Sequence, residues 1–99
     1  MSQIKMLIKK LEMEIRKNGH VYKLITRSKN RAIYSQSDSN RLIAYEVFKI
    51  FIRGERYSEI LKRVIPPTER FPSNESFGKT AWTFSNLKPA MEKYNELKP

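Results

Sequence analysis

Gly78-Lys79-Thr80-Ala81-Trp82-Thr83-Phe84-Ser85-Asn86-Leu87-Lys88-Pro89-Ala90-Met91-Glu92-Lys93-Tyr94-Asn95-Glu96-Leu97 changes its period part-way along. It starts with strand-like alternation. Then Leu87, Ala90, Met91, Tyr94 and Leu97 fall at i, i+3, i+4, i+7 and i+10, one apolar stripe of an amphipathic helix. Ser85 and Asn86 both suit an N-cap, because their side-chain oxygens can accept from the unpaired N–H groups of a first turn. Pro89 is tolerated only in that turn, where its missing N–H has no intrahelical partner to lose. The spacing therefore predicts a helix beginning at Asn86 or Leu87, preceded by an edge or closing strand. Trp82 and Phe84 share one face of that strand and are expected to pack under the helix against Met91 and Tyr94.

The preceding chain supplies a sheet for this helix to cover. Leu11, Met13 and Ile15 alternate with Glu12, Glu14 and Arg16, a half-buried strand. Asn18-Gly19 suits a two-residue type I′ turn, whose central residues both need φ > 0. Setting Lys17 opposite His20 pairs Ile15 with Tyr22 and Met13 with Leu24 on one face, and Glu14 with Lys23 on the other. Val21–Thr26 is the second strand and Ala32–Gln36 the third. Ser37-Asp38-Ser39-Asn40 reads as a turn, and Leu42–Ile52 is β-branched and aromatic enough for a long fourth strand. Tyr57, Ile60, Leu61 and Val64 have helical spacing, so a short helix is expected over 55–64, stopped by Pro66-Pro67. A second short helix is expected over 2–10, with Ile4, Leu7, Ile8 and Leu11 inward, and Pro66–Phe77 is expected to be an extended loop. The fold class is α+β, an antiparallel β-meander of four to five strands covered by a C-terminal helix, in a single domain, 1–99.

With 99 residues, 39% of them hydrophobic, the chain can bury one modest core and is not of disordered type. The absence of cysteine removes disulfides, thiol catalysis and cysteine-based zinc sites together. No apolar run reaches the ~20 residues of a membrane span, and Met1–Lys10 lacks a signal-peptide pattern, so the expected setting is the cytoplasm. Twenty Lys and Arg against ten Asp and Glu give a formal +10. Such a field attracts polyanions, chiefly nucleic acid, but also acidic protein surfaces or anionic lipid.

Between Ile15 and Ser37 lie Arg16, Lys17, Lys23, Arg27, Lys29 and Arg31 without one acidic residue. Meander turns alternate between the ends of their strands, so these cations line the sheet lengthwise and can follow a phosphate backbone. The same pattern also fits a solvated hairpin face. Asn18, Ser28 and Asn30 suit neutral contacts to phosphate or base edges. Aromatics in strands more often belong to the core; Tyr34, near Lys29 and Arg31, is the best candidate for an exposed one that could stack a base. Lys79 and Lys88 flank the closing strand and helix, with Lys79 a further phosphate contact. His20 stands alone at a hairpin turn, which argues against a metal or general-base role. Glu46 has no partner carboxylate and is expected to face outward. Gly78-Lys79-Thr80 lacks the upstream glycine of a phosphate-binding loop.

The unit of Trp82 and Phe84 followed by Ala90 and Tyr94 resembles the closing strand and helix of two domain types. One is the plant ethylene-response DNA-binding domain, the other the Trp-Gly-Arg domain of DNA-repair proteins. The resemblance implies DNA contact through the sheet, and it is confined to this unit, since Gly-Arg does not follow Trp82. Tyr45–Ile50 together with Phe71–Phe84 looks like small proteins of phages and mobile elements, which implies a setting and no activity.

Two functions follow as expectations. The first is a basic, non-enzymatic nucleic-acid-binding module (DNA or RNA) that needs no cofactor. The second is a phage or mobile-element accessory protein, working in the host cytoplasm, that binds and inhibits a host protein with an acidic surface or a nucleoprotein defence complex. No constellation of nucleophile, base and orienting group points to an enzyme.

Overall fold

The computed structural model describes residues 7–39 and 41–97. In chain order the elements are β1 (Glu14–Lys17), β2 (His20–Arg27), β3 (Arg31–Asp38), β4 (Arg41–Lys49), β5 (Phe51–Arg53), β6 (Arg56–Ser58), β7 (Arg63–Ile65) and β8 (Thr68–Arg70). A 3-10 turn at Asn74–Ser76 follows, then β9 (Ala81–Phe84) and α1 (Leu87–Glu96). Backbone contacts group these into a larger unit, residues 12–50 and 72–97, and a smaller one, residues 7–11 and 51–71.

The larger unit is a five-stranded antiparallel sheet in the order β1-β2-β3-β4-β9 with α1 packed on it, an α+β fold. Its first hairpin turns at Asn18 (φ 54) and Gly19 (φ 79), both left-handed as a type I′ turn requires. The resulting register sets Lys17 opposite His20, Ile15 opposite Tyr22 and Glu14 opposite Lys23. The Leu24 N–H donates to Met13 O at 2.8 Å, extending the same pairing by a step. Bulges interrupt β2 between Leu24 and Thr26 and the β3–β4 ladder after Gln36.

Along β3, Ala32, Ile33 and Tyr34 are all buried, and along β4 so are Glu46, Val47 and Phe48. Successive strand side chains point to opposite faces, so both faces of these two strands are covered. On one face Ile33 and Val47 pack with Ala90 and Tyr94 of α1, and Tyr45, Phe84, Met91 and Leu97 surround them. Each fully buried aliphatic side chain contributes about 1.5–3 kcal/mol. Val47 is opposite Trp82 and Tyr45 opposite Phe84, which puts both aromatics of β9 on the helix side as their spacing predicts. On the other face Tyr34 stacks on Phe48, ring centroids 5.6 Å apart, and its hydroxyl donates to Glu12 O at 2.7 Å.

The helix begins as its sequence predicts, with Asn86 at the N-cap in extended conformation and Pro89 in the first turn, although the Asn86 side chain makes no capping bond. Leu87, counted in the apolar stripe, is exposed.

The smaller unit departs from expectation. Residues 55–64 form no helix: β6 and β7 make a hairpin in which Tyr57 faces Val64, turning through Lys62 at φ 53. The Leu61 N–H donates to Ser58 Oγ within that turn. Ten residues ended by two prolines are too few to hold a helix without packing, and Tyr57, Ile60, Leu61 and Val64 are all exposed. The long fourth strand is also two strands. Its ladder stops at Lys49, the Ile50 N–H donates to Asn30 O across the sheet end, and Phe51–Arg53 pairs instead with Thr68–Arg70 inside the expected loop. Of the expected N-terminal helix, residues 2–6 lie outside the described residues. Residues 7–10 are not helical, and Lys9 bridges Thr68 in parallel.

The turn at Gly19 yields a stability measurement. A Cβ there meets nothing within 4 Å, so Gly19→Ala carries only the backbone cost of left-handed φ. It is expected to lower the unfolding free energy by about 1 kcal/mol in urea; an unchanged midpoint would contradict the type I′ assignment.

Candidate nucleic-acid interface

Sheet registers decide where the predicted cations stand. Glu14, Arg16 and Lys23 share the face that α1 covers further along, while Lys17 and Arg27 share the opposite face with Tyr34. The cations of the first three strands are therefore divided between two faces and form no single strip. Arg16 lies 3.5 Å from Glu14 in an ion pair between exposed groups, which screening makes weak. Lys17 Nζ donates to Pro72 O. Arg27 wraps its own turn, donating from Nε to Ser28 O and from Nη2 to Lys29 O.

Arg31 is committed to the fold. Its guanidinium carbon lies 4.1 Å from the Tyr94 ring centroid, and Nη1 donates to Tyr94 O near the helix C-terminus. A cation there is favoured by the ring face and by the negative end of the helix. Its Nε also donates to Ser28 Oγ, and Ser28 in turn donates to Asn30 Oδ1, so these neutral candidates serve the turn. Tyr34, the best candidate for an exposed stacking platform, is 0% exposed and belongs to the core, the commoner place for a strand aromatic. Alternation had allowed β3 one wet face, and the chain before β1 closes that face through the Tyr34–Glu12 bond.

One grouping does emerge, at an end of the sheet. Arg31 pairs with Lys49, the Lys49 N–H donates to Thr80 O, and the Ile50 N–H donates to Asn30 O. The β2–β3 turn, the end of β4 and the start of β9 thus lie side by side and bring Lys29, Lys49 and Lys79 to the same end. All three are exposed and form no ion pair among the described residues. Reading the chain strand by strand missed Lys49; antiparallel pairing of β4 with β3 is the signal that reveals it.

Glu46 also differs from expectation. It is 5% exposed, opposite Tyr34 on the face away from α1, and Oε2 has no hydrogen-bond partner. Burial pushes its carboxyl up to about 7, against the opposing pull of the Lys17 ammonium. Burial, then the Glu46 charge, raises the Tyr22 hydroxyl in turn. His20 stacks on Tyr22 at 6.4 Å with Nδ1 buried and unpartnered, so Lys17, His20, Tyr22 and Glu46 make a small polar cluster on this face. Among the described residues no three of His, Asp or Glu gather as metal ligands, and no helix is long and apolar enough to cross a membrane.

The cluster has a pH signature. Because Glu46 binds its proton more tightly folded than unfolded, its contribution to stability falls as pH rises from about 4.5 to about 7. Glu46→Gln is expected to match the parent near pH 4 and exceed it at pH 8 by up to about 3 kcal/mol; equal stability at both pH values would contradict the assignment. No protein-family model, curated protein or solved structure matches this chain.

Proposed function

We propose that this protein is a non-enzymatic module that binds nucleic acid through phosphate contacts, with little sequence preference. The observation that carries this reading is the convergence of Lys29, Lys49 and Lys79, exposed and without carboxylate partners, at one end of the sheet. Exposed Lys23 and the weakly paired Arg16 extend the positive surface along the helix-side face of β1 and β2. Each phosphate neutralised releases counterions, and this sequence-independent term dominates non-specific affinity. Arg27, Arg31 and Tyr34 leave the list of contacts, since two hold turns and helix in place and the third is core.

A second reading is supported by a different observation. The β6–β7 hairpin exposes Tyr57, Ile60 (92%), Leu61 and Val64 together, beside Lys62 and Arg63. Apolar exposure of this kind marks protein contact more often than phosphate contact. It supports contact with a protein; on this second reading the chain is an accessory protein of a phage or mobile element whose partner is a host protein with an acidic surface, or a nucleoprotein defence complex. Pull-down from host lysate treated with nuclease separates the two readings, since a direct protein partner survives the treatment.

Binding to duplex DNA, single strand and RNA, measured from low to high salt, tests the first reading. If about four to six phosphates are neutralised, log affinity is expected to fall with log salt at a slope near −4 to −5. Replacing Lys29, Lys49 and Lys79 with Ala is expected to weaken binding on all sequences and make the slope shallower by about 2.7, without unfolding the protein. Flat, micromolar-or-weaker binding to all three ligands rejects it.

A further inference from the structure

The smaller unit is the more densely charged part of the chain. Residues 7–11 and 51–71 hold seven Lys and Arg against three Asp and Glu, whereas residues 12–50 and 72–97 hold eleven against seven. Within it, the β5–β8 ladder sets Phe51 opposite Arg70 and Arg53 opposite Thr68. Residues two apart on a strand share a face, so Phe51, Arg53, Thr68 and Arg70 stand on one side, and Ile52 and Glu69 on the other. Phe51 is 55% exposed, and both arginines are exposed. Side chains directly opposite have Cβ atoms about 5 Å apart, and residues two along lie about 7 Å away, so both arginines are near neighbours of the ring on this face. Glu69, the one carboxylate in this ladder, is buried on the far side, where its Oε1 accepts from the Leu11 N–H at 2.9 Å. Neither arginine is neutralised by it.

An exposed ring with one arginine across the strand pair and another two residues along its own strand matches what an unpaired nucleotide offers. The base supplies a π-face to stack, and the phosphates on either side supply charge for planar, bidentate donors. A duplex hides its base faces and can use only the arginines. A bilayer is a poorer match, because Phe51 lies within a strand pair and not at a loop tip that can enter lipid. We propose that this face of the smaller unit stacks an unpaired base on Phe51 while Arg53 and Arg70 hold the neighbouring phosphates, making single-stranded nucleic acid the preferred ligand. The proposal rests on the nucleic-acid reading above and adds to it a base-stacking site on the other unit.

Fluorescence anisotropy on the full chain tests it, with an oligothymidylate of about twelve nucleotides, an abasic strand of equal length and a duplex as ligands. Anionic phosphatidylserine vesicles, followed by co-sedimentation, are the fourth arm. The parent protein is expected to bind the base-bearing strand about tenfold or more tightly than the abasic one, a comparison that needs no variant. Phe51→Ala is expected to remove that difference while leaving abasic binding unchanged, and Phe51→Trp to restore it. Arg53→Ala with Arg70→Ala is expected to weaken both strands alike, with circular dichroism confirming the fold of each variant. Equal parent affinity for the two strands, or a Phe51→Ala loss equal on both, overturns the stacking site. If duplex binding is still salt-dependent in that case, the phosphate reading stands. A Phe51→Ala loss confined to vesicles makes the face lipid-binding and overturns the proposal, and no salt-dependent binding to any nucleic acid overturns both readings.

Discussion

The docking of Tyr94 onto the sheet is the contact on which the larger unit depends. Its ring and Ala90 close over Ile33 and Val47, while Arg31 lies against the ring and donates to the Tyr94 carbonyl. A ten-residue helix is marginal in water alone. It persists because this apolar stripe has a partner surface and because a fixed cation stands near its C-terminus. Lys93, 4.3 Å from the Trp82 ring centroid, adds a second cation–ring contact between helix and closing strand. Arg31 is thus structural, and its charge serves the helix before any ligand.

That docking has consequences on the opposite face. Once α1 covers one side of β3 and β4, Tyr34, Phe48 and Glu46 fill the other, and a carboxylate ends among aromatic rings. Buried without a full set of partners, it keeps its proton more readily than it would in water. A central sheet closed on both faces has no room for surface cations at mid-strand. At the end of these strands antiparallel connectivity instead gathers three exposed lysines, at the junction of β2–β3, β4 and β9.

Local chemistry was the most legible part of the sequence. Asn18-Gly19 reports a backbone requirement that few residue pairs meet, so turn and register follow from it together. The shift from period two to the helical period at Ser85-Asn86 likewise marks where β9 ends and α1 begins. Features set by distant contacts were not legible. Tyr57, Ile60, Leu61 and Val64 fit a helical stripe and a hairpin equally well, because spacing alone does not say whether a partner face exists. Nothing between Leu42 and Ile52 marks the switch from one ladder to another, since the apolar run continues through it. The burial of Tyr34 and Glu46 depends on a second cover that alternation in a single strand does not encode. The basic strip of the first three strands failed for a related reason. Neighbouring cations in sequence alternate between faces, while Lys29, Lys49 and Lys79, far apart in sequence, converge.

On the proposed reading, ligand meets the sheet end and the Phe51 face of the smaller unit and leaves α1 untouched. Amide chemical-shift mapping during titration with a short single strand tests this most directly. Shifts are expected to concentrate at residues 28–30, 49 and 79–80 and at 51–53 and 68–70, with smaller ones at 16 and 23 and with 87–96 unmoved. Shifts centred on the helix, or none at saturating strand, would contradict it.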